Sequence, residues 1–390
     1  MRRVLVTDGE QRSALAIVRS LGRAGMWLGV AGGRNRVLAG ASRYCRGQER
    51  VPDPLSRPGE FVGALAALVE RWSIDTLIPV SDASLLTVLA AADRLPGVRI
   101  PFPDLERVRQ ASDKAAVARL AAEVGIAVPA SIELCGPGQV PREQLRFPLV
   151  IKPVRSVVEG VAGKFTVSHA ADAEQLERRL GALPPEAYPV LLQQRIRGPG
   201  VGVFALHWDG ALHAVFAHRR LREKPPSGGI SVYRESIAPD PGLVEPALEL
   251  LRRLAWNGVA MVEMKVDEDT GVAYLMEING RFWGSLQLAI DAGVDFPRLL
   301  LEAADGATPP SSPPAYRAGV RSRWLWGDVD HLLLRLRRST AALDLPQDGG
   351  GRAAALTDFA RLRRGDRLEV LRSDDPGPFL RESMDWIRRR

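Results

Sequence analysis

Strand and helix alternate through the first hundred residues, and that alternation constrains the fold more than any other feature. Val4–Thr7 is a short apolar strand, Ala14–Leu21 has helical spacing, Met26–Ala31 is a second strand and Phe61–Trp72 a second helix. Thr76–Pro79, Ser84–Ala92 and Val98–Pro101 follow as strand, helix and strand. Strands joined through helices run parallel, so this part reads as a doubly wound parallel sheet. From Asp104 the alternation stops. Leu105–Val124 reads as helical, with Ser112-Asp113-Lys114 in its middle. Phe147–Pro153 is a buried strand, Phe165–Val167 resumes a strand, Asp172–Leu180 is a helix and Pro189–Gln194 a strand. Val201–His207, Ala211–His218 and Val259–Val266 are further strands, and Gly271–Asn279 closes a hairpin. Hairpin-linked strands imply antiparallel sheets and an α+β class for this middle portion.

The first turn, Thr7-Asp8-Gly9-Glu10-Gln11-Arg12, lacks the Gly-x-Gly-x-x-Gly cradle of dinucleotide-binding domains, and Glu10 would repel a pyrophosphate. Nicotinamide binding is therefore excluded. No apolar run reaches the roughly 18 residues of a membrane-spanning helix, and Val4–Thr7 breaks too soon for a signal peptide. Two cysteines, Cys45 and Cys135, cannot make a disulfide framework or a cysteine-based zinc site. A cytoplasmic location is the expectation.

The net charge of +7 is concentrated late in the chain: Tyr316–Arg390 holds sixteen arginines against eleven acidic residues. A basic tail can meet nucleic acid or acidic lipid, but no helix-turn-helix, zinc-finger or aromatic RNA-binding pattern accompanies it. The reading is a solvated, Arg-rich extension. It follows the Pro309–Pro314 linker and includes a basic helix at His331–Ser339 and a turn at Asp348–Gly351.

Lysine is rare, with five against 48 arginines: Lys114, Lys152, Lys164, Lys224 and Lys265. A retained lysine among so many arginines points to sites wanting a compact ammonium. Lys152 ends an apolar strand, and the Val157–Lys164 segment after it carries Gly160 and Gly163. Such a segment can be a simple turn, or a loop whose amides approach a polyphosphate with Lys164 alongside. Glu263 and the run Met276-Glu277-Ile278-Asn279-Gly280-Arg281 form the strongest constellation. Alternation puts Glu277 and Asn279 on one face. If Asp267 pairs with Ala273, Glu263 lies opposite Glu277 with Cβ atoms about 5 Å apart. Glu263, Glu277 and Asn279 make an oxygen-only set suited to Mg²⁺, although the same pattern fits an exposed hairpin of solvated charges. In the basic run His218–Lys224, Arg220 and Arg222 share one side with His218 and Arg219 faces the other. That side could clamp a phosphate or a substrate carboxylate.

Taken in order, Ala111-Ser112-Asp113-Lys114, Val150-Ile151-Lys152-Pro153, Gln193-Gln194-Arg195-Ile196, Val262–Asp267 and Met276–Gly284 resemble the ATP-grasp superfamily, in particular its carboxylate–amine ligases. The resemblance covers about three quarters of the chain. It implies an N-terminal α/β domain over 1–104, an ATP-grasp small lobe over 105–195 and a large lobe with the metal site over 196–308. A linker and Arg-rich extension then occupy 309–390. It further implies that Lys114 and Lys152 contact ATP and that Gly160–Lys164 closes over the phosphates. Gln193, with Gln194, Arg195 and Ile196 of the same hinge, would meet the adenine edge. Glu263, Glu277 and Asn279 would hold Mg²⁺, usually two ions, with Mn²⁺ as a substitute, and Arg281 would stabilise an acyl phosphate. Two departures stand out: the hinge carries glutamines where an acidic residue is common, and Gly198–Gly202 offers no acidic ribose ligand.

The implied activity is ATP-dependent amide or peptide bond formation from a small carboxylate, such as an amino acid, and an amine. Alternatives are a carboxylase or phosphoryl-transfer outcome on the same fold, or a non-catalytic Mg-ATP-binding module. A homodimer is the family-based expectation.

Overall fold

The structure is a computed structural model that describes residues 1–138, 140–158, 161–339, 342–343, 351–361, 363 and 365–389. Gly160 and most of the expected turn at Asp348–Gly351 lie outside the described residues. Fifteen strands form three sheets among these residues.

The N-terminal sheet contains β1 (Arg3–Val6), β2 (Trp27–Gly32), β3 (Cys45–Arg50) and β4 (Thr76–Ile78) in the order β3-β2-β1-β4. Every pairing is parallel, as the strand–helix alternation requires. Two details differ from the sequence reading. The final strand at Val98–Pro101 shrinks to one bridge between Thr76 and Arg99. An unforeseen edge strand, β3, is mostly exposed and polar, so no apolar run marks it.

The helix expected over Leu105–Val124 is two helices, Leu105–Ser112 and Lys114–Glu123. The break falls at Asp113, whose side chain accepts from Ala116 N at 2.9 Å and caps the second helix. Lys114 is consequently the first residue of that helix and sits at its mouth.

The small sheet holds β5 (Ser131–Leu134), β6 (Leu149–Pro153), β7 (Ser168–Ala170) and β8 (Val190–Gln194), antiparallel in the order β5-β8-β6-β7. Its own core is Leu149, Ile151, Leu176, Val190 and Leu192. The large sheet contains β9 (Gly200–Trp208), β10 (Ala211–Lys224), β11 (Ile230–Ser236), β12 (Gly258–Val266), β13 (Ala273–Asn279), β14 (Arg321–Arg323) and β15 (Asp366–Leu368). Their order is β13-β12-β9-β10-β11-β14-β15. Its core is continuous with that of the N-terminal sheet, joining Val4, Ile17 and Ile78 to Phe204, Trp283 and Leu300. The N-terminal domain and the large lobe therefore share one apolar interior, while the small lobe stands on a separate core.

The segment after the linker is anchored rather than solvated, which corrects the sequence reading. β14 and β15 extend the large sheet, and each of three buried acids of the segment holds at least one arginine of the body. Asp375 takes Arg19 at 2.8 Å with both side chains 1% exposed. Glu369 takes Arg234 at 2.5 Å and also Arg12. Asp328 takes Arg222 at 2.6 Å and Arg323 at 2.5 Å. The basic helix starts earlier than expected, spanning Leu325–Arg337, and Trp326 in its first turn packs face to face on Trp386 with ring centroids 4.3 Å apart. No helix among the described residues is long and apolar enough to cross a membrane.

Candidate active site

The site begins with the β12–β13 hairpin. Asp267 Oδ1 accepts from Thr270 N at 2.9 Å and Asp269 N at 3.2 Å, and Gly271 closes the turn at φ +71°. This turn pairs Val266, not Asp267, with Ala273. A regular ladder from that start would set Glu263 against Met276. Instead a bulge passes Met276 and brings Glu263 opposite Glu277. The expected facing carboxylates are thus present, reached by a different register. The bulge has a second consequence: the Met276 carbonyl accepts from Lys152 Nζ at 2.8 Å, joining the small lobe to the hairpin.

Lys152 is 6% exposed at the end of β6. Burial lowers its pKa, and Glu277 opposes that shift. Lys114 Nζ donates to Ser156 Oγ at 2.8 Å. These two lysines, Lys164, Gln193, Glu277, Asn279, Arg281 and Asp82 line one cavity of about 250 Å³ between the lobes. Gln193 is buried and donates to Ser131 Oγ at 3.1 Å. Gly163 has φ +91° in the exposed loop that carries Lys164 toward this cavity.

The other hinge residues do not share that space. Arg195 and Ile196 line a neighbouring cavity of about 370 Å³, together with Arg220, Arg222 and Lys265. Gln194 is exposed and lines neither cavity. Glu263 lines neither cavity and is bound by Arg220 at 2.6 Å. Burial raises the Glu263 pKa above the ordinary carboxylate range, and Glu277 adds to the rise against the pull of Arg220. Burial also disfavours the Arg220 charge, yet Glu263 and Glu223 together hold the guanidinium more firmly protonated than usual. Arg222 faces Asp328 with both donors, at 2.7 and 2.6 Å, and lies over the Tyr233 ring. As expected, Arg219 pairs elsewhere, with Glu235.

Arg281 is held by Asp82 of the N-terminal domain through two bonds of 3.1 Å. It also donates to Asn279 Oδ1 at 2.8 Å, while Asn279 Nδ2 donates to Glu277 Oε1 at 3.2 Å. Burial works against the Arg281 charge, but Asp82 outweighs it and raises the pKa. Sequence reasoning missed Asp82, Ser156 and the Met276 carbonyl. Asp82 shows only as a residue after the capping Ser81, and nothing local ties it to Arg281, 199 positions away.

A family described as ATP-grasp in the biosynthetic pathway with Ter operon matches residues 186–327, which hold the hinge, the large sheet apart from β15, and the carboxylate hairpin. Three solved structures share the architecture. L-amino acid ligase from Bacillus licheniformis is 17% identical with TM-score 0.63, over 79% of this chain and 76% of that one. The biotin carboxylase domain of Hydrogenobacter thermophilus 2-oxoglutarate carboxylase, in complex with MgADP, ADP and bicarbonate, is 14% identical with TM-score 0.62, over 82% and 73%. N5-carboxyaminoimidazole synthetase from Staphylococcus aureus is 13% identical with TM-score 0.59, over 80% and 79%. Residues 186–327 are therefore ATP-grasp-like in sequence as well as in fold. No curated protein sequence matches the chain. At these identities the solved structures establish the fold, and the chemistry of the site is read from this chain's own residues.

The residues present suit Mg²⁺. Among the described residues no cluster of three or more His, Cys, Asp and Glu could hold a metal. The set here is two carboxylates and one amide, all oxygen donors, which a hard cation accepts when phosphate oxygens complete its shell. Lys114, Lys152 and Lys164 supply the positive lining that a polyphosphate requires.

Proposed function

We propose that this protein is an ATP-grasp carboxylate–amine ligase that forms an amide through an acyl phosphate and releases ADP and phosphate. The observation that supports this reading most strongly is the convergence of Lys114, Lys152, Glu277, Asn279 and Arg281 on one cavity between the lobes. Glu263, Glu277 and Asn279 would hold Mg²⁺, with Mn²⁺ able to substitute, and the ion neutralises charge on the phosphates. Lys152 and Lys114 orient the nucleotide's phosphates, and the loop carrying Gly163 and Lys164 covers them. Gln193, the hinge residue that lines this cavity, meets the base.

A substrate carboxylate oxygen attacks the γ-phosphorus, and the bond to the β–γ bridging oxygen breaks. Arg281 faces the charge that develops on the transferred group. The amine then attacks the acyl carbon, and phosphate and a proton leave. None of these steps needs a protein nucleophile, so positioning and electrostatics supply the catalysis. Arg220 and Arg222 are already engaged by Glu263, Glu223 and Asp328. Their part in this reading is to orient Glu263 and to shape the neighbouring cavity.

ADP release from Mg-ATP, with pooled amino acids and small carboxylates and with hydroxylamine as the trap, tests the proposal. Carboxylate-dependent ADP and hydroxamate, both lost in Glu277→Ala, support it. Bicarbonate-dependent ADP release without hydroxamate would favour a carboxylase. Mg-ATP binding without turnover would favour a binding module.

A further inference from the structure

The first turn of the chain, Thr7-Asp8-Gly9, takes no part in the nucleotide cavity, yet Asp8 is held at φ +54°, in the left-handed region. Its carboxylate has a definite task. It accepts from Ser81 N at 3.0 Å, Val80 N at 3.2 Å and Ser84 Oγ at 2.9 Å. Ser81 Oγ in turn caps the helix Asp82–Leu89 by accepting from Ser84 N at 3.1 Å. Three contacts on a capped helix start leave its first residue, Asp82, little freedom.

That residue is the one that grips Arg281 with both carboxylate oxygens. From there the bonds continue to Asn279 and Glu277. We infer that Asp82 is a positioning residue for the metal-binding pair Asn279 and Glu277, acting through Arg281. The inference rests on the nucleotide-site reading above.

The physical reason lies in the competition for Arg281. Three carboxylates draw its guanidinium: Asp82 in direct contact, and Glu277 and then Asp8 at longer range. While Asp82 holds Arg281, the guanidinium donates to Asn279 Oδ1, and this sets the amide with its oxygen on one side and its nitrogen toward Glu277. A carbonyl oxygen has two lone pairs, so accepting from Arg281 leaves one for a cation. Without the Asp82 charge, Glu277 becomes the strongest remaining anionic partner for Arg281, and a guanidinium on Glu277 opposes a cation there. Asp82 also faces Lys164 and Lys114, which hold its own pKa down with Arg281 against the effect of burial. It is therefore charged under all ordinary conditions.

The test is Mn²⁺ binding to the full chain in the presence of a non-hydrolysable ATP analogue, followed by electron paramagnetic resonance. Asp82→Asn keeps the size and helix position but removes the charge. It is expected to weaken Mn²⁺ binding about tenfold, a coupling within the range for directly bonded groups. In an Arg281→Ala background the same Asp82→Asn change is expected to do nothing, because the competing guanidinium is gone. Asp82→Glu is expected to recover part of the loss.

A purely structural Asp82 would instead weaken binding equally in both backgrounds and lower the melting temperature, and that result overturns the inference. So does unchanged Mn²⁺ affinity in Asp82→Asn. A wild-type chain that binds neither Mn²⁺ nor the analogue overturns the nucleotide-site reading, and the inference with it.

Discussion

Arg220 reaches Glu263 at 2.6 Å by crossing over Gly200 on the strand between them. A Cβ at position 200 would lie 2.7 Å from Arg220 Cδ. The neighbouring Gly202 leaves room in the same way for Phe204 and His218. The glycines of β9 thus form a shallow floor that lets a β10 arginine govern a β12 carboxylate, two strands away.

Gly200→Ala follows directly from this arrangement. The added methyl group pushes Arg220 away from Glu263, and overpacking of this kind costs about 1–3 kcal/mol. The expected result is weaker Mg-ATP binding by about tenfold, with a melting temperature lowered by a few degrees. Isothermal titration and thermal unfolding measure the two effects. Binding equal to wild type would mean that the Arg220–Glu263 pair does not matter to the site.

Lys152 makes a contact that an arginine cannot copy. Its ammonium is a point donor to the Met276 carbonyl at 2.8 Å in a buried position. Lys152→Met is expected to weaken Mg-ATP binding by tenfold or more, roughly the loss of one charge-assisted hydrogen bond. Lys152→Arg is expected not to restore it, because the planar fork is longer and its donors diverge. Recovery of full affinity by arginine in isothermal titration would contradict this account.

The anchoring of the last segment gives a third prediction. Arg19 Nε donates to Asp375 Oδ2 at 2.8 Å, and its NH2 donates to the carbonyls of Val370 and Asp375 at 2.9 Å each. Removing one partner of a fully buried pair leaves an uncompensated charge, which costs about 3–5 kcal/mol. Asp375→Ala should therefore destabilise the whole chain in urea unfolding. Removal of everything after Pro314 should leave insoluble protein, since it strips two strands from the large sheet. A soluble, stable truncation would show that the segment is dispensable.

Which parts were legible in the sequence follows from chemistry of different range. Alternating strands and helices announced the parallel sheet because periodicity is local. The period of two along β13 placed Glu277 and Asn279 together for the same reason. The hairpin register was not local: a bulge at Met276 decided it, and nothing in the residue itself announces a bulge. β14 and β15 were invisible because each is three residues long and paired only by the tertiary structure, and β3 because its exposed, polar residues make no apolar run. The extension read as solvated because its arginines were counted, while the partners that matter are its acids, Asp328, Glu369 and Asp375. Arg19, Arg12, Arg234 and Arg222, which these acids hold, lie in the body, beyond the reach of any spacing rule. Asp82 and Arg281 belong to the same class, brought together only by the shared core of the N-terminal domain and the large lobe.

Glu382 carries the clearest pH signature. Its Oε1 accepts from Trp324 Nε1 at 2.7 Å, and Oε2 is buried without a hydrogen-bond partner. Burial raises its pKa from 4.5 to about 7, with the Trp324 bond and Arg12 opposing and Glu369 reinforcing the rise. The folded chain therefore keeps a proton that the unfolded chain gives up. Stability from this group is complete below about 4.5, falls as pH climbs toward about 7, and levels off above. The total loss is at most about 3 kcal/mol, reduced by the residue's partial exposure to water. Glu382→Gln keeps the acceptor for Trp324 and cannot ionise. The variant should match wild type near pH 5 and exceed it at pH 8, as measured by urea unfolding at both values. A wild-type chain that lost no stability relative to Glu382→Gln over that interval would show that the Glu382 pKa is not raised.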